Sequence, residues 1–181
     1  EYIARKIGPE KSKAVRALKL DGVYLVEESE RFYPNGSLAA HALGFAGIDN
    51  QGLEGLEVVY DQELRGSMGR FMGETDAINR EIPGGERLYL PSKDGFNLTL
   101  TLDEVLQHIA EREADRVMEE TEAKGAVVLI ANPNTGEILA LCNRPTFDLN
   151  DPLASPDINR RNLAVWYNYE PGSTFKVVTA A

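Results

Sequence analysis

The chain has 181 residues, 43% of them hydrophobic and 27% charged, a balance suited to an ordinary globular protein of one domain or two small ones with a real core. A net charge of −10 argues against nucleic acid as a partner, because phosphate binding needs clustered Lys and Arg, and neither a basic stripe nor an RNA-binding aromatic motif is present. The single cysteine, Cys142, leaves no internal disulfide, and no stretch approaches the roughly 20 apolar residues that cross a bilayer or carries a signal-peptide pattern.

Pro9 to Leu20 carries Pro in a first-turn position and apolar Ala14, Val15 and Leu18, which predicts a short amphipathic helix followed by Gly22. Val23 to Val26 reads as a strand leading into the polar loop Glu27 to Gly36. Ser37 is placed to cap a short helix over Leu38 to Leu43, with Gly44 to stop it. From Gly52 to Leu64, apolar Leu53, Leu56, Val59, Tyr60 and Leu64 form a helical stripe that Gly66 would terminate.

Gly66, Gly69 and Gly73 punctuate the next stretch, Pro83-Gly84-Gly85 is a turn signal before Arg87 to Leu90, and Pro91 to Gly95 is the expected linker. Leu98, Leu100 and Leu102 alternate with threonines as a half-buried strand would. Asp103 then caps a long helix. Its predicted core stripe is Val105, Leu106, Ile109, Ala110, Ala114, Val117 and Met118, and the charged run Glu111, Arg112, Glu113, Asp115, Arg116 and Glu119 is its expected solvated face. Ala126 to Ile130 and Ile138 to Cys142 are apolar on both faces and joined by an Asn132 to Gly136 turn, which predicts a central hairpin covered on both sides with Cys142 as a small core residue.

Only one place suggests nucleophile chemistry. In Tyr169-Glu170-Pro171-Gly172-Ser173-Thr174-Phe175-Lys176, a serine and a lysine three apart would share one face of a helix, so the amine can reach the hydroxyl. Pro171 and Gly172 favour a sharp entry that puts Ser173 in the first turn, where free N–H groups and the positive end of the dipole meet developing negative charge. With seven serines and seven lysines, chance supplies about 0.27 such pairs, so the four-residue pattern carries little weight without its surroundings.

Those surroundings resemble a known family. Arg161-Asn162-Leu163-Ala164-Val165 followed by Glu170 to Lys176 is similar to the active-serine region of penicillin-binding transpeptidases. Arg31-Phe32-Tyr33-Pro34-Asn35-Gly36, His41-Ala42-Leu43-Gly44 and Gly52-Leu53-Glu54-Gly55-Leu56-Glu57 resemble motifs of the non-catalytic N-terminal region of class B penicillin-binding proteins. Asn97 to Gln107 and Asn132 to Ala140 resemble the opening of the transpeptidase domain. Within the class, the similarity is strongest to the cell-division and spore-cortex branch, of the stage V sporulation protein D type.

The resemblance implies an α+β chain: a pedestal or dimerisation domain over residues 1–92, then the start of a serine transpeptidase domain of β-lactamase-like fold over 93–181, truncated after Ser-x-x-Lys. It implies Ser173 as nucleophile and Lys176 as general base, with no metal or organic cofactor. Its implied substrates are peptidoglycan stem peptides, with β-lactams as mimics that acylate the serine. Other cell-wall synthesis or division proteins are the implied partners of the first region. The implied location is the extracytoplasmic face of the bacterial cytoplasmic membrane, through an anchor upstream of this sequence.

The family's Ser-Asp-Asn and Lys-Thr-Gly elements do not occur in the chain, so the 181-residue piece is expected to be inactive by itself. Glu1 in place of Met and an ending inside apolar Val177 to Ala181 fit an excised piece of a longer protein. Two alternatives stand beside the enzyme reading. One is a scaffold or partner-binding module of a cell-wall complex, with Arg31, His41, Glu54 and Glu57 as residues to watch. The other is a β-lactam sensor or β-lactamase of the same fold, and the first ninety residues count against a simple β-lactamase. For the four watched residues the expectation is architectural: His41 hydrogen-bonded in a core or interface, and Arg31 in an internal ion pair with Glu54 or Glu57.

Overall fold

Residues 2–67, 69–73 and 87–180 are described by a computed structural model. In chain order the elements are α1 (Pro9–Ala17), α2 (Ala40–Leu43), α3 (Gly55–Val59), α4 (Asp61–Arg65), β1 (Arg70–Gly73) and β2 (Arg87–Leu90). They continue with α5 (Glu104–Thr121), β3 (Ala126–Ala131), β4 (Ile138–Arg144), α6 (Asp157–Arg160), α7 (Leu163–Trp166) and α8 (Lys176–Ala180), with short 3₁₀ turns at Pro152–Ala154 and Gly172–Phe175. Two packing units result. One takes the chain up to Tyr33 and from Gly44 to Thr99; the other takes Pro34–Leu43 and the chain from Leu100 onward.

In the first unit α1 forms as expected, with Pro9 at its first position, but none of its residues is buried and Leu18 is 65% exposed. Val23 to Val26 is not a strand: it has no pairing partner among the described residues, and Tyr24 and Val26 face solvent. An extended run without a ladder leaves its backbone to water, so β propensity alone does not make a strand. The helix expected over Gly52 to Leu64 is two helices, broken at Tyr60 (φ −109°, ψ 23°), with Gly66 ending the second as foreseen. β1 pairs antiparallel with β2, Arg70 opposite Leu90. Ser67 and Lys93 exchange backbone hydrogen bonds of 2.8 and 2.9 Å, and the Phe96 N–H donates to Glu63 O, so the stretch expected as a linker is tied into this unit. The Pro83-Gly84-Gly85 turn lies outside the described residues.

The second unit is a helix on a hairpin. Asp103 caps α5 as expected, its carboxylate accepting from the Leu106 N–H at 2.9 Å, and Glu122 in the left-handed region (φ 53°) ends the helix. β3 and β4 pair antiparallel with Val128 opposite Cys142 and Leu129 opposite Leu141. The core between them and α5 is Ala110, Ala114, Ala140 and Cys142, flanked by Leu106, Ala126, Val128 and Ile130. Small residues on both surfaces let the helix lie close to the sheet.

Three expectations for this unit need correcting. The ridge of α5 that meets the hairpin is Gln107, Ala110, Glu111 and Ala114, whereas Val105, Ile109 and Val117 are exposed. Glu111 is therefore buried at 9% exposure, not part of a solvated face. The hairpin is covered on both faces only along residues 140–144 of β4, since Val127 and Leu129 of β3 and Ile138 at the start of β4 face out. Leu98 to Leu102 forms no strand; the Asp103 N–H to Leu139 O and the Thr101 hydroxyl to Ile138 O are its hydrogen bonds to β4, too few for a ladder.

Ser37 to Leu43 starts its helix late, at Ala40, because Ala39 adopts a left-handed φ of +53°. That kink aims the Ala39 N–H at Glu111 Oε1, 2.8 Å away.

Candidate active site

Ser173 sits in the 3₁₀ turn Gly172–Phe175, and Lys176 is the first residue of α8. Pro171 is the residue before the turn (φ −68°, ψ −18°), and Gly172 follows at φ +53°, which glycine adopts without the Cβ penalty. The Thr174 N–H donates to Pro171 O at 3.1 Å, the Thr174 hydroxyl bonds the same oxygen, and the Lys176 N–H is shared between Ser173 O and Thr174 O. The sharp entry is thus present, but Ser173 lies in a 3₁₀ turn ahead of the α-helix rather than in its first turn. Residues three apart eclipse on a 3₁₀ turn, which keeps serine and lysine on one side of the backbone.

Both side chains are exposed, and among the described residues neither takes part in a side-chain hydrogen bond. Phe175, Val177 and Val178 beside them are also exposed. What the fold fixes here is the backbone of the pair.

Upstream, the chain is anchored by a pair of amides. Asn143 is 1% exposed on β4; its Nδ2 donates to Asn162 Oδ1 at 3.1 Å, and its Oδ1 accepts from the Ala164 N–H at 3.0 Å. Asn162 caps α7 with the same Oδ1, 3.2 Å from the Ala164 N–H. Arg161 stacks over Trp166 at 4.3 Å. Sequence reasoning missed Asn143. The available signal was an amide directly after the apolar run Ile138 to Cys142, which demands partners when buried.

A second polar cluster joins α5, β4 and the Pro34–Leu43 segment. Arg144, 7% exposed, donates through Nε and NH2 to Asp115 and through NH2 to Glu111 Oε2 at 3.3 Å. Glu111 Oε1 accepts from Gln107 Nε2 at 2.7 Å as well as from Ala39. Gln107 in turn bonds both backbone groups of Leu141. The Arg144 guanidinium holds the Asp115 carboxyl below its usual range, and burial pushes the Cys142 thiol up to about 11, so Cys142 behaves as the unreactive core residue expected.

The watched residues have architectural partners. His41, 7% exposed, donates from Nε2 to Asn159 O at 2.7 Å and meets the Phe147 ring edge-on at 5.3 Å. Arg31 pairs with Glu57, Nε to Oε1 at 2.6 Å and NH2 to Oε2 at 3.1 Å. Tyr33 donates to Glu57 Oε1 and accepts from the Ala46 N–H, and burial with the Glu57 charge raises its hydroxyl to about 12. Glu54 precedes α3, and a Cβ on Gly44 would stand 1.8 Å from Glu54 O, so this crossing admits only glycine.

His41 makes a pH prediction. Burial, with Arg144 adding to it and Glu111 and the Asn159 carbonyl opposing, lowers its pKa from 6.5. A histidine that resists protonation when folded contributes stability that is present above 6.5 and is lost as pH falls from there through the folded value. Urea midpoints across pH 7 to 5 should therefore decline for the native chain and flatten in His41→Gln. Equal slopes in the two would show that another group titrates.

Among the described residues no group of His, Cys, Asp and Glu is arranged to hold a metal ion, and no helix is long and apolar enough to cross a membrane.

Comparison with known proteins gives matching results for both parts of the chain. Residues 2–100 match the family described as the penicillin-binding protein dimerisation domain, and residues 125–181 match the penicillin-binding protein transpeptidase domain. Stage V sporulation protein D of Bacillus subtilis is 48% identical over 178 residues, which is 98% of this chain and 28% of that protein. Peptidoglycan D,D-transpeptidase FtsI of Escherichia coli is 35% identical over 97% of this chain and 29% of its own length. The chain thus spans less than a third of either relative. Among solved structures, penicillin-binding protein 3 of Mycobacterium tuberculosis in complex with ampicillin aligns with a TM-score of 0.67 and 29% identity, over 84% of this chain and 30% of that one.

Proposed function

The chain belongs to the penicillin-binding proteins, with a dimerisation domain followed by part of a transpeptidase domain, and from that premise we propose that it is the pedestal and nucleophile-bearing part of a peptidoglycan D,D-transpeptidase. The observation that carries the reading is Ser173 and Lys176 three apart across a 3₁₀-to-helix junction, inside the stretch that matches the transpeptidase family.

In this reading Ser173 Oγ attacks the carbonyl of the penultimate D-alanine of a stem peptide while Lys176 Nζ takes the hydroxyl proton. The peptide bond to the terminal D-alanine breaks, that residue leaves as the free amino acid with the proton returned to its amine, and an ester remains on Ser173. The amine of a neighbouring stem peptide then attacks the ester, forming the cross-link and freeing the serine. A β-lactam opens on the same oxygen and leaves an ester that turns over slowly.

Residues 1–92 serve as a non-catalytic pedestal and 93–181 carry the nucleophile. The match to a dimerisation domain supports a role for the first region in docking other cell-wall synthesis or division proteins. The working location is the extracytoplasmic face of the cytoplasmic membrane. Without the Ser-Asp-Asn and Lys-Thr-Gly elements, the 181 residues alone neither cross-link peptides nor react appreciably with penicillin.

The test is the intact mass of the longer protein after incubation with penicillin, beside Ser173→Ala. A one-equivalent adduct lost in the variant supports the reading; a folded protein that stays unlabelled removes catalysis and leaves the scaffold role. Rapid stoichiometric labelling of the 181-residue chain would overturn the claim that the downstream elements are needed.

A further inference from the structure

We infer that Asn143 is a positioning residue for the nucleophile: its side chain clamps the start of α7 to β4 and so sets where the Ser173 segment leaves the sheet. The inference rests on the reading of Ser173 above.

Asn143 is the one amide on the buried run Ala140 to Arg144, and both of its polar ends are used. It contributes nothing to the β3–β4 core that an apolar residue of its size could not, since its register partner is Val127, away from the face carrying Cys142 and Ala140. What its amide adds is directional. The carbonyl end holds the Ala164 N–H and the NH₂ end holds Asn162 Oδ1, which caps the same N–H, so three groups close a ring around the first turn of α7. α7 is only four residues long and has no buried residue, too short to hold its own orientation. Between Trp166 and the turn at Gly172 the chain is exposed and has no helix or strand. The amide ring is thus the last fixed point on the sheet before Ser173 among the described residues.

Acceptor and donor roles separate the substitutions. Asn162 acts through Oδ1 alone, so Asn162→Asp keeps both of its contacts, whereas Asn162→Leu loses both. Asn143→Leu keeps the branching at Cγ and removes the clamp. In the longer protein, single-turnover reaction with penicillin resolves binding from the acylation step. Asn143→Leu and Asn162→Leu should slow acylation by roughly 10- to 100-fold with little change in the binding constant, since misplacement of a reacting group by an ångström costs on that order. Asn162→Asp should stay within about threefold of the native rate on the same principle. A purely structural role would lower the melting temperature and leave the acylation rate of the folded fraction unchanged, and that result overturns the proposal.

Hydrogen exchange of the same proteins gives a reading that does not depend on catalysis. Peptides covering 163–176 should exchange at least about tenfold faster in Asn143→Leu while α5 and β4 keep their protection. If native protein takes no penicillin, the functional reading fails and exchange decides the clamp alone; unchanged exchange over 163–176 refutes it. Should Asn143→Leu not fold, the partly exposed Asn162 carries the same comparison.

Discussion

In the longer protein that carries this sequence, Ser173→Ala is expected to form no covalent penicillin adduct, and Lys176→Met to form it about 10²- to 10⁴-fold more slowly. The two effects differ in kind. Removing Oγ deletes the atom that becomes bonded, so no slow background at the same site can replace it. Removing the amine leaves the hydroxyl and the backbone N–H groups of the 3₁₀ turn, which still stabilise developing charge, and only the assisted proton transfer is lost. Both side chains are exposed in the 181 residues described, and the melting temperatures of the two variants beside the native protein separate loss of chemistry from loss of folding. Time-resolved intact mass reads both rates. An adduct of equal yield in Ser173→Ala would move the nucleophile elsewhere, and a native rate in Lys176→Met would assign the base to another residue.

Arg144→Met is expected to lower the unfolding free energy of the second unit by about 3–5 kcal/mol, the usual result of removing one partner from a buried ion pair. The arginine side chain is 8% exposed and Glu111 is 11% exposed. Methionine fills similar space but leaves the Glu111 carboxylate with only Gln107 and the Ala39 N–H as donors. Glu111→Gln should cost less, about 1–3 kcal/mol, because an uncharged amide oxygen can keep the Ala39 bond. The double variant Arg144→Met with Glu111→Leu should recover part of the loss, since no buried charge then remains unpaired.

Trp166 is the sole tryptophan and lies on α7 in this unit, so urea unfolding followed by its fluorescence reports the right region. A loss under 1 kcal/mol would mean that water reaches Glu111. The Arg144 pair also sets an acid limit. Asp115 is held below 3.8 by its hydrogen bonds to Arg144, so the stability it contributes is present above 3.8 and is lost as pH falls further through the folded value.

How much of this was legible depends on the range of the interactions involved. The cap at Asp103, proline at the start of α1, the Asn132 to Gly136 turn and the stop at Gly66 all come from residues within a few positions of one another. Each of these formed where its residues indicated. The Ser173–Lys176 spacing belongs to the same group: three residues across a turn keep the pair on one side whether the turn is 3₁₀ or α. The strands expected at Val23 and Leu98 did not form, because a strand exists only with a partner and the local pattern says nothing about one.

Burial was where periodicity pointed the wrong way. A helix-wheel reading of α5 selects the most apolar stripe, yet the side that meets the hairpin carries Gln107 and Glu111 beside two alanines. The amide and carboxylate are there because the Leu141 backbone, the Ala39 N–H and Arg144 need partners once they are buried.

By itself, the sequence determined the long helix and the hairpin that precede Ser173, the serine–lysine spacing and the kinship of both halves, since all three are properties of short, contiguous stretches. Only the tertiary structure decided that Pro34–Leu43 packs with the second unit, that Glu111 is a buried hub and that Asn143 holds the start of α7. These rest on bonds such as Ala39 to Glu111 and His41 to Asn159, 72 and 118 positions apart. Such contacts form only when folding brings distant donors and acceptors out of water together, and the requirement that each then be satisfied cannot be read from any window of the chain.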